Sequence, residues 1–276
     1  MLWASTQTVR RKDGDGALPS NLSTIGFDFA GEGDLTAILT RLAGEARERF
    51  STPLGEYAIW RSRTGAELWF QLAPPMDDGA PEREIIGMTP FFEGESDIAV
   101  KVTAFVRRLE DTPLEGAFTA WVAPDEDGEG AYPLVFDAVD FAAHSGREIP
   151  AIRRVRLAGF AREITAFASQ EAYLAAQDRK PAFAARSFVP VGMFAAAMDG
   201  EADETPPPSS AALLTGEVIE HQLLTNEETG RSFHWLLVES ADATFDILAD
   251  PEVVTGNIVF GGTVEVACLL LGRFLD

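Results

Sequence analysis

Residues Ser232 to Val238 set the tightest limit on what this chain can fold into. Phe233, Trp235 and Leu237 fall on one face of an extended segment, and His234, Leu236 and Val238 on the other, because side chains alternate along a strand. A strand that is apolar on both faces belongs inside a sandwich or a closed barrel, since an open sheet leaves one face in water. Its neighbours read the same way. Leu213 to Leu224 is strand-like, and the polar, Gly-terminated run Asn226-Glu-Glu-Thr-Gly230 between the two segments predicts a hairpin. Further on, Phe245, Ile247 and Ala249 alternate with Asp246 and Asp250, which predicts one buried and one wet face, and Pro251 stops the strand. Re-entry at Ile258 to Phe260 and a last strand through Val264, Val266, Cys268 and Leu270 complete roughly five strands, enough for a small barrel.

Upstream of the Pro-rich break Thr205-Pro-Pro-Pro-Ser-Ser210 the pattern is mixed. Leu35, Ile38, Leu39, Leu42 and Ala46 recur at helical spacing, so a helix is expected from Leu35 to about Phe50, with Asp34 as its N-cap. A hairpin follows, Glu56 to Arg61 and Ala66 to Leu72 around the turn Ser62-Arg-Thr-Gly65, and strands are expected at 84–92, 98–109, 116–122 and 133–141. Ser169 is placed to cap a short helix from Gln170 to Arg179, which Pro181 ends. The expected fold is therefore α+β and β-rich. It divides into a mobile arm (1–20), an N-terminal mixed α/β-sheet domain with two short-to-medium helices (21–197), an acidic, Pro-rich linker (198–210) and a small C-terminal all-β domain, OB-like or sandwich (211–276). No repeat at a fixed period is evident.

Forty-four acidic against 22 basic residues give a formal charge of −22, which disfavours nucleic-acid phosphates and anionic lipid surfaces as direct partners. No stretch approaches the ~18 apolar residues of a membrane helix, and Met1 to Lys12 has no apolar signal core. The single cysteine, Cys268, lies in an apolar strand and excludes a disulfide framework. These features point to a cytoplasmic protein. The charge is uneven, however: residues 151–200 hold seven bases and four acids, a basic island between two acidic halves.

Signatures of chemistry are sparse. There is no G-x-S-x-G, H-E-x-x-H or P-loop. His144, His221 and His234 are too scattered for a dedicated zinc site, although Glu217 and His221 fall on one strand face. No metal and no cofactor is expected. Among the tryptophans Trp69 is the best candidate to line a ligand site, because Glu67 and Gln71 share its face. Arg153, Arg154 and Arg156 form a candidate anion-binding strip inside the basic island. The functional expectation is an acidic, non-catalytic module, an adaptor or toxin-neutralising protein, that binds a basic protein. The alternative is a small-molecule binder or enzyme with its site in the N-terminal domain or at the domain interface.

Overall fold

A computed structural model describes residues 20–27, 32–75, 83–177, 183–198 and 207–276. The expected arm at 1–20, apart from Ser20, and most of the expected linker at 198–210 lie outside the described residues. A helix, α1 (Glu32–Glu45), leads into four strands, β1 (Glu48–Thr52), β2 (Gly55–Arg61), β3 (Ala66–Leu72) and β4 (Ile85–Phe92). Next come β5 (Ile98–Val106), β6 (Ala117–Val122), β7 (Tyr132–Ala138), the one-turn helix α2 (Phe141–His144) and the long β8 (Ala151–Phe167). After α3 (Gln170–Ala176), β9 (Ser187–Val189) and α4 (Val191–Met198), the chain ends with β10 (Ala211–Thr225), β11 (Ser232–Ser240), β12 (Ala243–Ala249), β13 (Val254–Thr255) and β14 (Thr263–Phe274). The fold is α+β and β-rich. It consists of an antiparallel sheet in the order β1-β2-β3-β4 and a separate, mixed sheet of ten strands. No helix among the described residues is long and apolar enough to cross a membrane.

Local signals place most elements as the sequence reads. Ser169 Oγ accepts the amide of Ala172 at the start of α3, and the two predicted hairpins form, with Ala58 opposite Phe70 and Val218 opposite Val238. Several local expectations differ. Among the described residues four α-helices form where two were expected, α2 and α4 being the additional ones, and α3 stops at Ala176 rather than Arg179. The first helix starts at Glu32, so Asp34 lies inside it, and it stops at Glu45 because Glu48 to Thr52 pair with β2 instead, Phe50 opposite Tyr57. Ile258 to Phe260 belongs to the loop before β14 and is no strand. Asp246, expected on a wet face, is fully buried, since β12 is covered on both sides.

The large sheet is built on the pair β8–β14, antiparallel from Val155 opposite Phe274 to Phe167 opposite Thr263. β14 occupies one edge of β8. The other edge takes β5 antiparallel at residues 151–155, then β12 parallel at 158–160, then β13 parallel at 164–165. In the same way the free edge of β14 takes β10 antiparallel and then β7 parallel, the latter at Leu271 and Gly272. The meanders β5-β6-β7 and β10-β11-β12 connect these neighbours. Two closed rings result, one of β5, β6, β7, β14 and β8, the other of β10, β11, β12, β8 and β14, sharing the central pair end to end. Each ring takes its fifth strand from the other half of the sequence. Pairing therefore runs across the Pro-rich segment, from β8 to β12, β13 and β14.

The two halves are topological copies: meander, short helical turn, long strand. Ala158 faces Leu271 at the pseudo-twofold axis, and each also has an aspartate opposite it on its outer side, Asp246 for Ala158 and Asp137 for Leu271. Sequence traces of the copy coincide with this alignment. Phe136-Asp137 matches Phe245-Asp246, Leu157-Ala158-Gly159 matches Leu270-Leu271-Gly272, and Ser96 ahead of β5 matches Ser210 ahead of β10. The two glycines are required by close approach: a Cβ on Gly272 would lie 2.3 Å from Phe136 Cδ2, and one on Gly159 2.7 Å from Ile247 Cδ1.

One apolar core fills both rings, from Val100, Phe118 and Phe136 to Val238, Phe245 and Val266. A second core lies outside them, where Ala158, Phe160, Leu271, Phe233, Trp235 and Leu248 pack against the four-stranded sheet and α1. The central pair is thus buried on both faces, which is why Leu157 to Ala161 contains no polar residue.

Candidate functional site

A groove of about 480 Å³ opens between the four-stranded sheet and the β10–β11 hairpin. Its floor is aromatic: Phe92 from the end of β4 and Trp235 from β11 lie with ring centroids 6.3 Å apart, beside Leu224. One wall is the β2–β3 turn. Ser62 Oγ accepts the amide of Ala66 at 2.9 Å, and Arg63 donates its own amide to Glu227, which ties the turn to the β10–β11 loop. The facing wall is Glu93 to Glu95, whose start is held by the amide of Glu93 on the carbonyl of Gly65 at 2.8 Å.

Two buried carboxylates hold this frame from beneath, and each accepts a hydrogen bond from a tryptophan. Asp246 Oδ1 accepts the amide of Glu95 at 3.0 Å and Trp235 Nε1 at 2.8 Å, while Oδ2 accepts the amide of Ser96 at 2.8 Å. Gly94 has to be glycine, because a Cβ there would fall within 2.1 to 2.2 Å of that carboxylate. Burial pushes the Asp246 carboxyl above its ordinary range, against the opposing pull of these three donors and of Arg156. Glu67, also fully buried, accepts Trp69 Nε1 at 2.7 Å and Arg61 Nε at 2.7 Å, with Arg273 Nη1 at 3.4 Å.

Above Glu67 the charges form a network. Glu93 Oε2 lies 2.7 Å from Arg61 Nε, and its Oε1 lies 3.4 Å from Arg273 Nη2 and 3.6 Å from Arg156 Nη1. Arg61 also reaches Glu48 at 3.0 Å. Burial works against the Arg61 charge, yet attraction from Glu67, Glu93 and Glu48 outweighs it and raises the guanidinium above its ordinary value.

Sequence-derived candidates take the following places. Trp69, Glu67 and Gln71 share a face of β3, but all three are buried and none lines the groove. Gln71 donates to Thr89 and Glu115 and accepts from Thr112, so its amide fastens β3 to β4 and to the loop before β6. Along β8, Arg154 pairs with Asp97 and Arg156 with Glu93, whereas Arg153 lies on the opposite face and donates to the carbonyl of Ile152. Only Arg156 of the three joins the groove network. Arg179 and Lys180 of the basic island lie outside the described residues. A register shift between Val218 and Glu220 breaks the alternation that would have put Glu217 and His221 on one face, and Glu217 is taken by Arg186. Among the described residues no group of three or more His, Cys, Asp or Glu side chains is arranged to hold a metal ion. Asp246, Glu93, Arg61 and Arg273 escape sequence reasoning; the repeated Phe-Asp pair was the available signal for Asp246.

Compared with protein families, with curated proteins and with solved structures, the chain has no significant match in any of the three.

Proposed function

We propose that the chain is a non-catalytic protein-binding module that recognises a basic partner, with the groove over Phe92 and Trp235 as its docking site. One observation carries this reading: many of the described arginines are already engaged by carboxylates of the same chain. Arg41 pairs with Glu45 and Glu228, Arg49 and Arg83 with Glu56, Arg108 with Asp137, Arg154 with Asp97, and Arg186 with Glu217 and Glu239. With much of the positive charge paired internally, the surplus of 22 acidic residues sets the outer field. Such a field steers a basic protein and raises its association rate, in a salt-dependent way.

The test is retention of proteins from source-cell lysate on the tagged chain at low and high salt, repeated with a variant carrying Glu95→Lys and Glu227→Lys. A basic protein held stoichiometrically at low salt, and lost from the variant, supports the reading. Equal retention by both forms sinks it. The groove volume also falls within the ~300–1,000 Å³ typical of small-molecule sites, which favours a small ligand as the second reading. A metabolite that raises the melting temperature of the wild-type chain, and does so less after Trp235→Phe, identifies it.

A further inference from the structure

Three guanidiniums from three different strands converge on one carboxylate at the end of the groove: Arg61 of β2, Arg156 of β8 and Arg273 of β14 around Glu93. The two acids in this cluster are held very differently. Glu67 is fully buried and bonded to an indole, so it is a fixed part of the frame. Glu93 is 37% exposed, and among the described residues its carboxylate is bonded by these guanidiniums alone. Two of its three contacts, at 3.4 and 3.6 Å, are longer than the ~2.7–2.9 Å of a charge-assisted bond. Arg156 and Arg273 thus retain donor capacity that Glu93 leaves unused.

We propose that Arg61, Arg156 and Arg273 form a recognition site for a ligand carboxylate, and that Glu93 occupies it as an internal stand-in until the ligand displaces it. Exchange of one carboxylate for another preserves the charge balance above Glu67, so no buried charge is left uncompensated. Planar guanidiniums match a carboxylate in paired bonds. The rest of the ligand follows from the floor: Phe92, Trp235 and Leu224 accept an apolar or aromatic body next to the acid group. The preferred class is an aryl- or alkyl-carboxylic acid. This site does not depend on the protein-partner reading, and the test needs no partner.

Full-length wild-type and Glu93→Gln chains are titrated with 4-phenylbutyrate, with its neutral amide and with inorganic phosphate, at constant ionic strength, following Trp235 by fluorescence and indole NMR. The glutamine keeps the side-chain size and removes the competing charge, so 4-phenylbutyrate is expected to bind the variant at least about tenfold more tightly than wild type. The amide is expected to bind neither form, phosphate to bind more weakly than the acid, and added Arg156→Gln to abolish the gain. Equal affinities of wild type and variant for 4-phenylbutyrate overturn the proposal, as does a gain that survives Arg156→Gln or that phosphate shares in full. Circular dichroism checks the fold. If Glu93→Gln does not fold, Glu93→Asp, which retracts the carboxylate by one methylene, is held to the same outcomes.

Discussion

The two rings share a topology, yet their matching aspartates live in opposite surroundings. Asp137 is half-buried and is held by Arg108 at 2.7 Å and by Ser210 Oγ at 2.5 Å. Asp246 is fully buried and relies on two amides and an indole. Each still performs the same task, fastening the serine that opens the first strand of the other half. Asp137 binds Ser210 ahead of β10, and Asp246 binds Ser96 ahead of β5. The amides of Leu270 and Leu157 close the pattern, on Ser210 O and Ser96 Oγ respectively. What differs is the cover. The four-stranded sheet lies over Trp235, Phe233 and Leu248 of the second ring, whereas the outer face of the first ring leaves Trp121 40% and Ile152 53% exposed. The lesson is that a duplicated latch is re-engineered by what packs on it. Near water a guanidinium is a workable partner, and under a sheet the carboxylate is met by neutral donors fixed by the backbone.

The comparison breaks most severely if the halves are separated. Residues 211–276 alone lack β8, which closes the second ring and pairs with β12 and the full length of β14. That fragment is expected to be unfolded, with collapsed amide dispersion in its NMR spectrum; a well-dispersed spectrum would establish an autonomous C-terminal domain. Next in size is Asp246→Ala, which strands three buried donors and is expected to cost about 3 kcal/mol or more in urea unfolding. The equivalent Asp137→Ala should cost about 1 kcal/mol, because water replaces its partner at the half-buried site. Equal losses would mean that cover does not set the value of the latch.

Gly272→Ala tests the central pair itself. Its new methyl meets Phe136 in the first ring, and a loss of about 1–3 kcal/mol is expected from overpacking. Gly159→Ala, whose methyl meets the flexible end of Ile247 at the longer distance, should cost less. The smallest effect concerns pH. Asp246 holds its proton in the folded state to a higher pH than the ordinary 3.8 of the unfolded chain. Between those two values the native state binds more protons, so stability is highest below the window and falls as pH rises through it. Asp246→Asn should remove that slope, read as the change in urea midpoint across the acidic range. An unchanged slope would place its origin elsewhere.

The groove was less legible than the strands around it. Trp69 and Glu67 share a face by alternation, as their indole–carboxylate bond confirms, but alternation does not tell whether that face meets water or protein. Asp246 reads as a solvent residue for the same reason: the segment Gly94 to Ser96 that closes over its carboxylate lies about 150 positions away in sequence. Arg61, Arg156 and Arg273 are ordinary strand arginines until three separate ladders bring them to Glu93.

By itself the sequence determined where most of the longer strands lie, which turns are tight, and that some strands must be covered on both faces. These are consequences of short-range terms: side-chain alternation, Gly and Asn in turns, the Ser169 cap, and the cost of leaving Phe233 or Leu236 in water. Only the tertiary structure decided which strands pair, that β7 and β12 cross over to the other half, and that two rings share β8 and β14. Backbone hydrogen bonds are nearly the same for any partner strand, so the choice rests on packing summed over distant residues. That sum is absent from any single window of the sequence, and in this chain it both built the barrel pair and assembled the groove beside it.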